Sequence, residues 1–267
     1  MNTSTPTPTP TPTSAPTSTP TSDAVSAPRV ALVTGASGGI GRATALRLAR
    51  DGMAVAVHYA GRKATAEQLA EEITGAGGRA VAVGGDIADE TAMEALFDEV
   101  ERAFGGIDVV VNTAGVMLLS PVAELDLDAL DRMHRTNIRG TFVVSQQAAR
   151  RLRRGGGLIN FSTTVTRTGF PAYGAYVASK AAVEALTPVL ARELRGRDVT
   201  VNTVAPGPTA TPLFLDGKDE QTIDRLSKAA PLERLGRPED IAETVAFLAG
   251  PARWVNGQTL FANGGLA

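Results

Sequence analysis

Residues 30–41 read VALVTGASGGIG, a short apolar run that leads directly into a glycine-rich loop. The run from Val30 to Val33 is typical of a buried parallel strand, and residues 42–50 then read as an amphipathic helix. A strand, a glycine loop and a helix N-terminus together make an anion site, because glycine lets the backbone approach a pyrophosphate and the helix dipole favours its charge. The stretch therefore favours nucleotide binding over a plain tight turn.

Strands and helices continue to alternate along the rest of the chain. Further strands are predicted at 54–59, 80–83, 107–111, 157–161, 200–204 and 258–262, and helices at about 64–74, 90–104, 176–195 and 238–248, with a long helix around Asn137. Repeated units of this kind predict an α/β fold in which a single Rossmann-like, doubly wound parallel sheet carries helices on both faces. Ligands of such sheets bind at the carboxyl ends of the strands, where the polar motifs of this chain fall.

The composition argues against several classes of function. The chain has 267 residues, 43% of them hydrophobic, which suits one large domain. Its net charge of −2, with acids and bases interspersed, gives no sign of a nucleic-acid or membrane partner, and no apolar run is long enough to span a bilayer. Cysteine is absent, and His58 and His134 are the only histidines, so we expect no disulfide, thiol nucleophile or metal site.

The first 28 residues differ from the rest of the chain. They are Thr, Pro, Ser and Ala almost throughout and show no hydrophobic period. Such a segment cannot bury enough apolar surface to offset its ordering entropy, so we predict a disordered tail at 1–28 and one folded domain at 29–267. The tail lacks the basic start and apolar core of a secretory signal, and we therefore expect a cytoplasmic protein.

The end of the second predicted strand bears on the choice of cofactor. In dinucleotide-binding folds an acid at this tip binds the ribose 2′-hydroxyl and repels a 2′-phosphate. Residues 58–63 read HYAGRK, with no acid and with two cations, Arg62 and Lys63. This tip favours NADP(H) over NAD(H). The alternative is that the two cations merely begin a solvent-exposed helix.

Residues 176–180 read YVASK and open a predicted helix. Tyr176 and Lys180 are four residues apart, so their side chains share one helix face, one turn apart. A phenol in water has a pKa of about 10. A fixed cation beside it favours phenolate and lowers that pKa, which would make Tyr176 a general acid/base. The alternative is a surface lysine near an aromatic ring.

Several motifs in this order resemble those of the short-chain dehydrogenase/reductase family, over about residues 29–265. They are TGASGGIG at 34–41, NTAG at 112–115, Asn137, the region of Thr163, YVASK at 176–180 and PGPTAT at 206–211. An ordered set is far more specific than any single motif. The resemblance implies an NAD(P)-dependent oxidoreductase of carbonyl or alcohol groups, similar to 3-oxoacyl carrier-protein reductases and other ketoreductases.

The resemblance also implies roles for individual residues. Tyr176 would give a proton to a carbonyl oxygen, Lys180 would bind the nicotinamide ribose and lower the tyrosine pKa, and Asn137 would hold a water of a proton relay. Thr163 would hydrogen-bond the substrate oxygen. The cofactor would be bound along the glycine loop, the strand tips and the nicotinamide end, by Gly35, Ser37, Gly39, Ile40, Gly41, Tyr59, Arg62, Lys63, Asp86, Ile87, Asn112, Ala114, Gly115, Tyr176, Lys180, Pro206, Gly207, Thr209 and Thr211.

Two positions depart from the family pattern. The family usually has a serine thirteen residues before the tyrosine, where this chain has Thr163, between Ser162 and Thr164. Threonine keeps the hydroxyl donor but its methyl narrows the pocket, and strand alternation turns Ser162 to the opposite face, so Thr163 is the candidate. The second departure is Thr113 in NTAG, where the family usually has asparagine. We expect it to change modestly how strand and helix are tied.

Residues 209–230 lie beyond the predicted sheet and mix a glycine, charges and three consecutive apolar residues, Leu213, Phe214 and Leu215. They are typical of a mobile lid that closes over a substrate and excludes water. The alternative is a plain surface excursion.

The favoured function is NADPH-dependent reduction of a ketone, an aldehyde or a 3-oxoacyl thioester. One alternative is an NAD(P)-dependent alcohol or sugar dehydrogenase working in the opposite direction. Another is a nucleotide-binding regulator that keeps the fold but catalyses no reaction. The resemblance, together with apolar positions on the helices at 126–150 and 177–195, also predicts a homo-oligomer, specifically a tetramer.

Overall fold

A computed structural model of the chain describes Met1 and residues 27–267. Residues 2–26 of the predicted tail lie outside the described residues. The described part contains one parallel sheet, whose strands are β1 Val30–Thr34, β2 Ala54–Tyr59, β3 Arg79–Gly84, β4 Ile107–Asn112, β5 Leu152–Phe161, β6 Thr200–Pro206 and β7 Thr259–Ala262.

Helices connect these strands. They are α1 Gly39–Arg50, α2 Lys63–Gly75, α3 Glu90–Phe104, α4 Leu127–His134, α5 Gly140–Arg151, α6 Val165–Thr168, α7 Gly174–Glu193, α8 Pro212–Leu215, α9 Glu220–Lys228 and α10 Pro238–Ala249. A short 3₁₀ helix spans Val122–Glu124. Arg135–Arg139 is a π-helical segment, and it joins α4 to α5 in one continuous rod. No helix in residues 27–267 combines the length and apolar character needed to cross a bilayer.

The strand order is β3-β2-β1-β4-β5-β6-β7, and every neighbouring pair is parallel. The sheet grows outward in two directions from β1, so the loops after β1 and β4 diverge and leave a crevice between them. The predicted doubly wound parallel sheet is confirmed.

Two apolar clusters cover the two faces of the sheet. Successive residues of β1 alternate between them: Ala31 and Val33 belong to one cluster, Val30 and Leu32 to the other. The first cluster is completed by α1, α2 and α10, and the second by α3, α5 and α7. These four residues are at most 1% exposed. Burial on both faces explains why the strand reads as a continuous apolar run rather than an alternating one.

The structure differs from the sequence prediction at two elements. β5 begins at Leu152, five residues before the predicted start, and its register with β4 shifts between Ile107 and Val109. The extra residues are LRRGG at 152–156. Four of them are polar or glycine and hide the strand, yet Arg153 forms an ion pair with Asp108 there. The helix around Asn137 is also not regular, since the π-helical segment interrupts it.

Candidate active site

A cleft of about 600 Å³ lies at the carboxyl ends of the strands on both sides of the β1–β4 crevice. Many of the residues predicted to bind a cofactor line it, namely Gly35, Ser37, Gly39, Ile40, Gly41, Arg62, Asp86, Ile87, Ala114, Gly115 and Thr211. The glycine loop, the tip of β2 and the turn after β4 therefore meet around one cavity.

The glycine loop has the shape of a cradle for an anion. Gly35 and Gly39 have φ of 64° and 54°, which favour glycine. At Gly41 a Cβ would lie 2.4 Å from the Gly35 carbonyl oxygen, so no side chain fits there. The N-terminus of α1 has no side-chain cap and no acid in its first turn. Its backbone N–H groups and positive dipole end therefore suit a pyrophosphate.

Positive charge stands over this loop. The guanidinium nitrogens of Arg62 lie 3.4–3.5 Å from the position that a Cβ on Gly38 would occupy. Among the described residues no carboxylate lies within ion-pairing distance of Arg62. The guanidinium therefore remains available for a phosphate on the bound nucleotide, to which arginine can donate two parallel hydrogen bonds.

The other two residues predicted at this tip lie elsewhere. Lys63 is the first residue of α2, where its exposed ammonium is 3.6 Å from Glu67. The ring of Tyr59 packs over Gly84, with ring atoms 2.8–2.9 Å from that residue's Cβ position. Neither residue lines the cleft, because the start of α2 turns Lys63 outward and the pairing of β2 with β3 holds Tyr59 over the sheet edge.

Asp86, which follows β3, and Arg135 of the π-helical segment both line the cleft. Asp86 accepts a hydrogen bond from the Ala88 N–H at 2.9 Å and pairs with Arg135 of the π-helical segment. Partial burial acts to raise the pKa of Asp86, but these two partners outweigh it and hold the pKa below its usual value. Asp86 therefore stays ionised while Ile87 beside it supplies an apolar wall.

His58 ties the glycine loop to the rest of the sheet. It is fully buried; Nδ1 accepts a hydrogen bond from the Gly35 N–H at 3.2 Å. That nitrogen carries no proton, so Nε2 carries it and donates to the Gly85 carbonyl at 2.8 Å. Burial lowers the pKa of His58, against opposing effects of Gly85 and Asp86. A neutral imidazole thus fixes the loop that approaches the anion.

The predicted catalytic pair lies on the inner face of α7. Tyr176 is 9% exposed and Lys180 5%, and the ammonium is 6.0 Å from the centre of the phenol ring. The ammonium donates to the Phe161 carbonyl at the end of β5, at 3.0 Å. It also lies 3.3 Å from the position that a Cβ on Gly115 would take. Glycine at 115, which lines the cleft, therefore leaves room for the lysine behind it, although Lys180 itself is not among the residues that line the cleft.

Burial governs the protonation of this pair. Burial raises the pKa of Tyr176 to about 12, with a further rise from Tyr173, while a hydrogen bond with the Thr163 side chain opposes both. Burial lowers the pKa of Lys180 to about 8. The pKa of Tyr176 is thus raised in this structure and not lowered as expected, because burial dominates and the ammonium donates to the Phe161 carbonyl rather than to the phenol. Near neutral pH the pair is a neutral phenol beside a cation.

Asn137 lies in the π-helical segment and is fully buried. Its side-chain amide donates to the Val116 carbonyl at 2.8 Å and to Ser179 Oγ at 3.0 Å, and its Oδ1 accepts from the Val116 N–H at 2.9 Å. Ser179 in turn donates to the Tyr176 carbonyl at 2.7 Å. Asn137 therefore joins the turn after β4 to the helix that carries the catalytic pair.

The hydroxyls after β5 point in different directions, as predicted. Ser162 donates to Glu184 Oε1 on α7 at 2.6 Å, and Thr166 donates to the same oxygen at 2.8 Å. Thr163 instead interacts with Tyr176. Glu184 thus holds the loop from behind and leaves Thr163 beside the phenol.

Four more of the predicted residues do not line the cleft. Asn112 is 2% exposed and bonds to Thr34, Thr141 and Asn160 at 2.7–3.3 Å, so it links strands rather than lining the cavity. Thr209 donates to the Gly207 carbonyl at 2.9 Å. Pro206 and Gly207 line a separate apolar pocket beside Tyr173.

Thr113 stands where the family that the chain resembles usually has asparagine, and its hydroxyl makes a hydrogen bond to a neighbouring strand. Its hydroxyl donates to the Thr34 carbonyl at the end of β1. It also lies 2.7 Å from the position that a Cβ on Gly41 would take, so it packs against the glycine loop. At this position the chain thus has a hydrogen bond that links the end of β1 to the residue after β4.

Several residues that line the cleft were not assigned from sequence, among them Gly38, His58, Arg135, Thr136 and Phe161. Arg135 and Thr136 directly precede Asn137 in the sequence, and this position could have indicated that they lie near the site. His58 gave none, because its role depends on two backbone groups from separate turns.

Comparison with known proteins places the chain among related sequences. A family model described as enoyl-(acyl carrier protein) reductase matches residues 35–267. A short-chain type dehydrogenase/reductase of Picea abies is 45% identical over 248 residues, which is 89% of this chain and 92% of the relative. A chloroplastic NADPH-dependent aldehyde reductase-like protein of Arabidopsis thaliana is 40% identical over 254 residues, covering 90% and 94%.

A solved structure with bound nucleotide has the same fold. It is a short-chain dehydrogenase from Burkholderia cenocepacia J2315 in complex with NADP, with 38% sequence identity and a TM-score of 0.84. The match covers 89% of this chain and 97% of that one. The similarity therefore extends over nearly the whole described chain and not over a single motif.

Proposed function

This chain belongs to the short-chain dehydrogenase/reductase family, and on that premise we propose that it reduces an aldehyde or ketone to the alcohol with NADPH as the hydride donor. As a family member it is an NAD(P)-dependent oxidoreductase of C=O or CH–OH groups. The observation that carries the proposal is the buried pair of Tyr176 and Lys180 on one face of α7, with Thr163 near enough to the phenol to act on its pKa.

NADPH, when bound, supplies the hydride that reaches the carbonyl carbon. Tyr176 is protonated near neutral pH and donates its proton to the carbonyl oxygen as the C=O π bond breaks. The hydroxyl of Thr163 donates a hydrogen bond to the same oxygen and stabilises its developing negative charge. The cation of Lys180 stabilises the phenolate left on Tyr176 until a proton from water replaces the one donated.

The chain's own residues would hold the cofactor in three places. The glycine loop and the N-terminus of α1 bind the pyrophosphate, with His58 keeping Gly35 in position. Lys180 binds the ribose hydroxyls at the nicotinamide end, behind Gly115. Arg62 binds the 2′-phosphate, which supports NADP(H) over NAD(H), as do a relative described as NADPH-dependent and a neighbour structure with NADP.

The segment 209–230 is proposed as the substrate lid of the 29–267 domain. It leaves the sheet after β6 and forms α8 and α9. Leu213 lines the cofactor cleft, and the next residue, Phe214, lines the apolar pocket. One short helix thus borders both cavities, which supports a lid more than a plain surface excursion.

The proposal is tested by turnover. Absorbance of NADPH and NADH is followed with a panel of aldehydes, ketones and 3-oxoacyl thioesters, and repeated with Tyr176→Phe. Wild-type oxidation of NADPH that the variant lacks supports the reductase. Oxidation of alcohols or sugars alone would favour the reverse direction, and tight NADPH binding without turnover on any substrate would favour a regulator.

A homotetramer is proposed as the working assembly. Phe142 on α5 and Val189 on α7 are 52% and 47% exposed, on the two helices that the sequence singled out. Apolar side chains on outward helix faces support self-association. Light scattering at micromolar concentration tests this, and a monomer mass would contradict it.

A further inference from the structure

A second, much smaller cavity lies next to the catalytic residues. It has a volume of about 50 Å³ and is bordered by Met117, Phe170, Tyr173, Phe214, Leu226 and Leu266. Tyr173 makes an edge contact with Tyr176, with ring centres 6.4 Å apart. A substituent of a carbonyl compound held at Tyr176 therefore has this cavity within reach.

The walls of the cavity offer no charge and little hydrogen bonding. Its lining contains only uncharged side chains, and the hydroxyl of Thr164 is already engaged with the Ala205 carbonyl at 3.3 Å. The buried hydroxyl of Thr168 has no hydrogen-bond partner, but it carries no charge with which to bind an ion. The cations near it are used elsewhere: Lys218 donates to the Phe214 carbonyl at 2.6 Å, and Arg167 lies over the Phe261 ring. A charged group would lose its water here without a partner.

The volume limits what can enter. One water, a single heavy atom, needs about 10–15 Å³ of cavity volume. A space of about 50 Å³ therefore takes roughly three or four heavy atoms. Phe214 on α8 and Leu226 on α9 close it from the side of the lid.

Building on the proposed function, we propose that the substrate is a carbonyl compound whose pocket-facing substituent is an uncharged hydrocarbon of up to three or four carbons. Phe214 sets this length. The pocket thus selects short alkyl aldehydes and ketones over acids and over long acyl chains.

The experiment measures binding and turnover separately. Linear carboxamides from acetamide upward resemble ketones but take no hydride, and their affinity for the NADPH-loaded protein is measured by calorimetry. Affinity should rise about fourfold for each buried methylene and stop rising once the pocket is full, after three or four carbons. A carboxylate at the chain end should weaken binding at least tenfold relative to a methyl of equal length.

Two variants locate the effect. Phe214→Ala should move the length limit out by several carbons, and Leu226→Ala should do so to a smaller extent. Leu215→Ala is the matched control, since Leu215 is on the same helix, is 36% exposed and lines neither cavity, and it should leave the limit unchanged. Unfolding curves check that each variant is folded.

The outcomes separate the two proposals. Affinity that is independent of chain length, equal binding of the acid-ended chain, or an unchanged limit in both enlarged variants would overturn the pocket inference. A length limit that moves with Phe214, while NADPH absorbance shows that none of the aldehydes and ketones of matching chain length is reduced, would sustain the pocket and refute the reductase.

Discussion

Replacing Arg62 by alanine should change the protein from an NADPH enzyme into one that uses the two cofactors about equally well. Arg62 stands over Gly38 of the glycine loop, and no carboxylate of the described residues competes for it. Hydrogen bonds to charged groups contribute about 1.5–3 kcal/mol, which corresponds to a change of roughly 10- to 150-fold. Because Arg62 is exposed and partly screened, the lower half of that range is expected.

The assay compares kcat/KM for NADPH and for NADH at one fixed carbonyl concentration. Arg62→Ala should lower the NADPH value by about 10- to 40-fold and leave the NADH value within about twofold, since NADH has no 2′-phosphate. Lys63→Ala is the matched control, because that ammonium is exposed and faces Glu67, and it should change neither value. Added salt should reduce the wild-type preference.

An equal fall in kcat/KM for NADPH and for NADH would contradict this prediction, because it would indicate a general disturbance of the glycine loop. The prediction would also be refuted if Lys63→Ala had the effect expected of Arg62→Ala, because the orientation of these two neighbours would then be the reverse of that described.

Four further outcomes follow from the site. Tyr176→Phe should lower kcat roughly 10²- to 10⁴-fold while NADPH fluorescence still reports binding; a near-normal rate would exclude the phenol as proton donor. Thr163→Val should lower kcat about 10²- to 10³-fold, whereas Thr163→Ser should retain most activity, and steady-state rates decide between them. The wild-type kcat/KM should fall as pH rises through about 8, because Lys180 then loses its charge, and the residual rate of Lys180→Met should lack this fall. The free energy of unfolding should decrease as pH falls below about 6.5, because the unfolded state binds a proton that buried His58 resists; urea titrations of His58→Asn should lack this contribution, and an equal slope would contradict it.

The fold was predictable from sequence because each buried strand is an apolar run bounded by glycine or polar residues. The glycine loop and the Tyr176–Lys180 spacing were readable for the same reason: both are local patterns. The protonation of Tyr176 was not predictable, since it depends on how much water the packed neighbours leave around the phenol. The different fates of Arg62 and Lys63 depend on the residue at which α2 begins, and one position decides which cation faces the loop.

Polar residues inside the sheet were the other source of error. Asn112 was assigned to the cofactor site through the family resemblance of the NTAG motif at 112–115. Its partners Asn160 and Thr141 come from β5 and α5, and only the three-dimensional register brings them together. A sequence pattern cannot distinguish an amide that faces a ligand from one that joins two strands.

The π-helical segment Arg135–Arg139 has a consequence for how the gene can change. Such a segment amounts to one surplus residue in an otherwise regular helix. Deleting one codon there would restore ordinary winding. The turns on either side would rotate little, because the wide turn accommodates the surplus residue locally, but Asn137 would lose its place between the Val116 backbone and Ser179. Insertions and deletions should therefore be tolerated in the surface loops of this protein. A deletion in the π-helical turn that contains Asn137 should abolish its activity.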